Sequence, residues 1–507
     1  MISIKLTPYD REEAVFEKAA KKLRLKKDDL EIYKKSVDAR NKNDIKIIYV
    51  VGEKRNEKRN YQTVDTKKRV VIAGAGPAGL FCALYLCRHG IKPLIFERGG
   101  TVEERTKKVN AFVSGGALDL NTNVQFGEGG AGTFSDGKLN TGLNNGLIAE
   151  VLKDFVSFGA PSDILYLNKP HIGSDKLKST ITNMRKEIEA LGGTFYFNSK
   201  IDDFIFNGDK IKAVKANGNE YPTDVVVLAV GHSARDTFKT LFNKGVKMES
   251  KEFAVGLRVE QLQSVINEDR YGKFKDFKTL PPADYKLVSH ASERSVFTFC
   301  MCPGGVVIPA ASEEGCLVVN GMSNYLRDGV NANSAVISQV RKSDFLSDHP
   351  LAGIEFQRGL ESKAFLLGGR DYTAPVELCE DFINGNKPSS LNGVYPTYRR
   401  GFALSDLTKI FPKDVSDSLK AGLLDMDGKI KGFASLGAVL TGVESRTSSP
   451  LRILRKENYE SVNFKGVFPC GEGCGYAGGI TSAAVDGIRV AESIFQAILE
   501  ENLEGRL

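Results

Sequence analysis

The stretch Arg69-Val-Val-Ile-Ala-Gly-Ala-Gly-Pro-Ala-Gly-Leu80 decides how this chain is read, and Pro93-Leu-Ile-Phe-Glu97 completes it. Val70, Val71, Ile72 and Ala73 form a short continuous apolar run, the pattern of a parallel strand buried on both faces. Gly74 permits the tight turn out of that strand. Gly76 lets the backbone approach a pyrophosphate, and Gly79 lets the next helix close on the sheet. Pro77 suits the first helical position, where a missing N–H costs little, and Ala78 continues the turn. The helix start then aims its bare N–H groups and the positive end of its dipole at phosphate. Glu97, followed by Arg98, ends the second strand 23 residues after Gly74, near the spacing of an acid that binds ribose hydroxyls. Strand, glycine turn, helix, strand and acid in this order predict a dinucleotide site, which a lone glycine repeat would not.

A second glycine-rich segment lies near the other end: Gly466-Val-Phe-Pro-Cys-Gly-Glu-Gly-Cys-Gly-Tyr-Ala-Gly-Gly-Ile480. It reads as a strand closed by Gly471 and Glu472, then a helix opened by Gly478, Gly479 and Ile480. The two segments together read as the halves of one FAD site. Between them, residues 125–141 form a third glycine-rich loop. Gly127, Gly129, Gly130, Gly132 and Thr133 are expected along a phosphate or the flavin edge, because backbone without side chains can line such groups. The plainer alternative is a surface loop. Lys138 reads either as a cation beside the ring, where it would stabilise negative charge on reduced flavin, or as a solvated lysine. A helix over 176–191, a strand over 194–198, a hairpin over 201–215 and a buried strand ending at Gly231 fill in the middle.

This layout resembles the glutathione-reductase-type FAD fold. The resemblance implies that backbone near Ile201 meets the adenine and that the strand ending at Gly231 returns beneath the cofactor. It also implies that Glu472 binds the ribityl chain, where many relatives carry Asp. Phe253-Ala-Val-Gly-Leu-Arg258, Phe299-Cys-Met-Cys-Pro-Gly-Gly305, Asn320-Gly-Met-Ser323, Glu444-Ser-Arg-Thr-Ser-Ser-Pro-Leu-Arg-Ile453 and the run 469–479 carry a narrower resemblance. It is to the bacterial FAD-dependent dehydrogenase family, also called NAD(P)/FAD-dependent oxidoreductases, whose substrate is unsettled. It implies FAD, expected to be non-covalent because the sequence offers no convincing attachment site, and an α/β architecture: a Rossmann-like FAD-binding domain (67–245 and 440–507) with an inserted β-rich α+β substrate domain (246–439). A small basic α+β domain, ferredoxin-like, is expected at 1–66, joined by a polar linker over 55–68.

The 507 residues, 41% hydrophobic and 26% charged, fit a globular protein of two or three domains. No apolar run reaches the length of a membrane span, and the first residues lack a signal-peptide core. Eight scattered cysteines suit reduced thiols in a cytoplasm. The net charge of +7 is uneven: residues 1–69 hold twenty Lys and Arg against twelve Asp and Glu, leaving the rest at −1. An acidic partner such as RNA is one reading. A solvated basic face is favoured, because no nucleic-acid motif accompanies the charge.

The chemistry outside the cofactor rests on four candidates. Cys302, in a C-x-C with Cys300 before a Pro-Gly-Gly turn, is a reactive thiol or core filler. Arg446 is an anion binder or a loop brace. His171 is an acid–base group or structural, and Lys138 is the fourth. Residues 88–299 hold no cysteine, so the thiol pair that disulfide reductases of this superfamily carry beyond the first glycine fold is missing. A second nucleotide fingerprint is also missing. The expected activity is therefore hydride transfer between flavin N5 and a small substrate, with NAD(P)H docking transiently or a partner protein delivering electrons. A flavin monooxygenase and an FAD-stabilised binding protein acting through the basic N-terminal domain are the alternatives.

Overall fold

A computed structural model describes residues 1–54 and 60–504; part of the linker expected at 55–68 lies outside them. Five parallel strands form the central sheet, in the order Val467–Pro469, Val225–Leu228, Val70–Ala73, Leu94–Phe96 and Thr194–Tyr196. The apolar run at 70–73 sits in the middle and is buried throughout. Its residues alternate: Val70 and Ile72 face the helices Pro77–Arg88, Ser174–Ala190 and Ile480–Glu504. Val71 and Ala73 face the three-stranded meander Ile201–Asn207, Lys210–Ala216, Asn219–Pro222 and the helix Arg235–Asn243. Both faces are covered, as a parallel sheet requires.

A seven-stranded mixed sheet stands over the C-terminal edge of the first. Its order is Val288–Ser289, Val296–Cys302, Asn331–Val340, Phe253–Leu262, Val439–Glu444, Ala374–Leu378 and Phe402–Leu404. The strand Val439–Glu444 pairs with Phe253–Leu262, so the chain is still in this sheet beyond residue 439, where a return to the first sheet was expected. It leaves only afterwards, as Leu451–Ile453 pairs with Met248–Ser250.

The N-terminal expectation needs correction. Ile2–Leu6, Ala14–Leu23, Leu30–Asp38 and Lys46–Glu53 make a three-stranded antiparallel sheet with one helix. A ferredoxin-like unit would add a second helix and a fourth strand. Nor does this unit stand apart: Ile4, Leu6, Val15 and Val51 share one core with Phe253, Val296 and Leu423. Tyr9 meets Phe277 edge-on at 4.8 Å, and Lys35 N–H donates to the Tyr166 carbonyl at 2.7 Å. Its missing elements are replaced by the rest of the chain. No helix among the described residues is long and apolar enough to cross a membrane.

Candidate functional site

A cavity of about 330 Å³ opens at the C-terminal edge of the parallel sheet, between the two sheets, where open α/β folds bind ligands. Its walls bring together Gly74, Gly76, Pro77, Ala78, Glu97, Arg98, Gly127, Gly130, Gly132, Lys138, Ile201, Gly231, Arg446, Glu472, Gly478, Gly479 and Ile480. Sequence positions as far apart as 74 and 480 thus meet in one cleft. Gly79, Gly129, Thr133 and Gly471 do not line it; they shape the wall from behind. A Cβ on Gly79 would run into the Gly74 carbonyl oxygen, and one on Gly129 into Thr133 Oγ1. Gly471 takes φ +74° and donates its N–H to Asp486 Oδ2 at 2.7 Å.

The glycines leave bare backbone where side chains would fill the cleft. Gly231, Gly478 and Gly479 all face open space. The helix Pro77–Arg88 begins with proline and has no side-chain cap, so its first N–H groups stay available at the cleft. Glu97 Oε2 accepts the Ala75 N–H at 2.9 Å, and Oε1 accepts those of Gly99 and Gly127, each at 3.0 Å. One carboxylate thereby ties the first strand turn, the second strand end and the glycine loop together. Arg98, held by Asp236 at 2.7 Å, lies 4.2 Å from the Phe126 ring centre.

The sequence reading missed Arg105. Its guanidinium is fully buried and donates to five carbonyls, those of Asn123, Val124, Gly127, Glu128 and Gly130, at 2.7–3.3 Å. Burial pulls it down to about 10, against the opposing pull of Glu97 and Glu128. A signal was present: Val102, Arg105, Val109 and Phe112 form the buried stripe of the helix Val102–Val113, and the arginine occupies an apolar position of that period.

The far end of the cavity is charged. Arg258, fully buried, pairs with Glu444 at 2.9 and 3.1 Å and donates to Asn333 Oδ1 at 2.8 Å. Burial raises the Glu444 carboxyl, and Arg258 opposes it. Arg446 reaches the wall but is committed to Glu361 at 2.8 and 3.0 Å, with Arg235 on the other side of the same carboxylate. Burial would raise Glu361; the two arginines outweigh it and hold the carboxyl far below its usual range. Glu472 lies 3.6 Å from His232 Nδ1, and burial lifts its carboxyl to about 7. His232 Nε2 has no hydrogen-bond partner, and burial, with Arg446 and Arg235, holds the ring neutral at pH 7.

Two candidates fall away from the cavity wall. His171 is buried with Nε2 against the Tyr325 carbonyl oxygen at 2.9 Å, and burial lowers its ring. It braces the turn beside Lys138 rather than facing the cleft. Cys302 is fully buried; Cys300 takes the place at the wall. The exchange follows from a one-residue slip in strand pairing between Phe299 and Cys302, which a sequence does not reveal.

Comparison with known proteins matches part of the chain to a described family. Residues 252–447 match the family described as "FAD-dependent protein, C-terminal domain-like", and residues 1–52 match a domain of unknown function. The chain is 44% identical to an uncharacterized protein of Clostridium beijerinckii over 97% of its own length and 98% of the relative's. It is 24% identical to Protein FixC of Salmonella typhimurium, over 40% of this chain and 45% of that one. Among solved structures, the flavin-dependent brominase Bmp2 aligns over 87% of this chain and 80% of its own, at 14% identity and a TM-score of 0.40.

Proposed function

The chain belongs to the family of FAD-dependent proteins, and on that premise we propose that it is an oxidoreductase that holds FAD non-covalently in this cavity and exchanges a hydride with a small substrate. The observation that carries the reading is convergence: two glycine-rich turns, from residues 74–79 and 471–480, and the acid Glu97 open on one cleft that Cys300, Lys138, Glu444 and Glu472 also line. The bare walls fit a dinucleotide. Side chains are missing where pyrophosphate would approach, and polar groups stand at both ends.

Gly76 and Ala78 would hold the pyrophosphate with backbone N–H groups, and Pro77, which has none to offer, would fix the helix start between them. Glu97 would take the ribose hydroxyls and keep the glycine loop in register. Ile201 would border the adenine, and Gly478, Gly479 and Ile480 would present the last helix start to the ring. Bound FAD supplies a two-electron acceptor and donor at ring N5. Lys138 holds positive charge at the far end, and Glu472, poised near neutrality, can hold or release a proton there. The buried pairs Arg258–Glu444 and Arg446–Glu361 keep these groups oriented. NAD(P)H docking transiently against the ring is the donor that needs no second nucleotide fold.

The test is an anaerobic absorbance spectrum of the purified protein, before and after NADH or NADPH. A flavin band that bleaches supports the reading with that donor. A band that persists moves the donor role to the substrate or a partner protein, and no band even after added FAD would sink the reading.

A further inference from the structure

The strand Val296–Cys302 does not run straight to its end. Its pairing with Asn331–Val340 slips by one residue between Phe299 and Cys302, and Cys300 takes φ +44°, a region cysteine seldom adopts. Bulges of this kind re-aim side chains beside sites. In a regular strand the two cysteines would stand alike on one face. Here Cys300 lines the cavity and Cys302 lies fully buried behind it. They stay in touch: Cys302 Sγ donates to the Cys300 carbonyl oxygen at 3.3 Å.

Two cations bracket the peptide between them. Lys138 Nζ donates to the Met301 carbonyl oxygen, and Arg258 Nη1 donates to the Cys300 carbonyl oxygen at 3.2 Å. A hydrogen bond from the Cys302 thiol, with Lys138 and Arg258, holds the Cys300 thiol well below its usual range in spite of burial. The same bond and burial push Cys302 well above it. With Cys300 at the cavity wall and Cys302 behind it, the opposite directions match the division between a nucleophilic and a resolving thiol. Cys82 and Cys87, by contrast, are buried within the helix Pro77–Arg88, and burial raises both thiols.

We infer that Cys300 and Cys302 form a redox-active dithiol, Cys300 attacking a low-molecular-weight disulfide in the cavity and Cys302 resolving the product. The cavity size favours a small disulfide over a protein one, and Lys138, on the wall with Cys300, favours one that carries a carboxylate. In the first step, Cys300 sulfur bonds to one sulfur of the substrate, the substrate S–S bond breaks, and the leaving thiolate takes a proton from water. In the second, Cys302 sulfur bonds to Cys300 sulfur, and the expelled substrate thiolate takes the proton Cys302 gives up. One disulfide replaces another and two thiols leave. Turnover rests on the flavin reading above, because returning the pair to thiols takes two electrons and two protons from reduced FAD. The exchange itself does not, so the two readings fail separately.

Met301 sits between the two cysteines, which provides the experiment. The full-length protein is incubated with oxidised glutathione, quenched in acid, cleaved at methionine with cyanogen bromide and weighed by mass spectrometry, beside a flavin spectrum of the same sample. The two fragments that meet at Met301 are expected to stay joined and to part after dithiothreitol. In Cys302→Ser, a glutathione adduct is expected on Cys300, and its alkylation by iodoacetamide at pH 7 should slow about tenfold when Lys138→Met is added. Fragments that part without reductant would overturn the proposal. So would an adduct forming on Cys302 in Cys300→Ser as readily as on Cys300 in Cys302→Ser. Joined fragments without a flavin band would keep the dithiol and remove the flavin reading; a flavin band with inert thiols would do the opposite.

Discussion

Two glycine-rich segments of the cavity, the loop 123–130 and the turn after Val467–Pro469, are each pinned by an arginine, but in opposite ways. Arg105 holds the loop 123–130 through five neutral carbonyls and no carboxylate contact. Arg455 holds the turn after Val467–Pro469 through a bidentate pair with Asp486 at 2.7 and 2.9 Å, one bond to the Pro469 carbonyl oxygen, and the Tyr476 ring at 3.6 Å. Asp486 passes the restraint on, accepting the Gly471 N–H. The first is thus built around a buried cation that touches only carbonyls and feels Glu97 and Glu128 at longer range, and the second around a directly paired charge. The difference suits their proposed neighbours: a doubly charged phosphate bridge gains from a buried cation, whereas the ribityl chain and ring edge need fixed geometry more than charge.

The sharpest way to break the comparison is Arg105→Met. It keeps the stem volume and strips five carbonyls of their donor, with each buried unsatisfied group costing about 1–3 kcal/mol before relaxation. The expected result is a fall in stability of at least about 4 kcal/mol and loss of retained flavin, read by thermal unfolding and by the absorbance of the purified protein. A variant that keeps both would show that the loop is held by its own turns.

Asp486→Asn comes next. It leaves the Gly471 acceptor in place but strands the Arg455 charge, for which about 2–3 kcal/mol is expected. Because the second turn is held by geometry, Asp486→Glu should recover less than half of a loss caused by charge alone. Chemical denaturation of the three proteins decides it; full recovery by Glu would mean that charge, not geometry, holds this turn as well.

These two arginines also mark what a sequence conveys. Gly74, Gly76, Gly79 and Glu97 were legible because each answers a local demand with a fixed spacing: a turn, a close approach, a helix–sheet contact, a strand end. Gly478 and Gly479 were legible for the same reason at the other end of the chain. Arg105 was not, since Glu103-Glu104-Arg105-Thr106-Lys107-Lys108 reads as a solvated charge run unless the burial of Val102 and Val109 is known. Cys300 was mistaken for its neighbour because strand register comes from the partner strand and turn geometry, and a one-residue slip changes which side chain faces the site. The ferredoxin-like expectation failed on the same kind of information: three strands and a helix look incomplete in isolation, yet here they finish their core against Phe253, Tyr271 and Phe274.

The smallest expected effect, and the one that tests the geometric character of the second turn most gently, is the pH response of Glu472. Its carboxyl is raised by burial from 4.5 to about 7. Above pH 4.5 the unfolded chain releases this proton while the folded protein keeps it, so the group makes stability fall as pH rises from about 4.5 to 7, with no further change above. Glu472→Gln removes that slope. The side chain is 23% exposed to the cavity, which screens the penalty, so the difference between variant and parent should grow to only about 1–2 kcal/mol in favour of the variant by pH 8 and vanish at pH 4. Urea unfolding across that range, without added FAD, measures it. A constant difference at all pH values would mean that Glu472 contributes shape to the turn and no titrating charge.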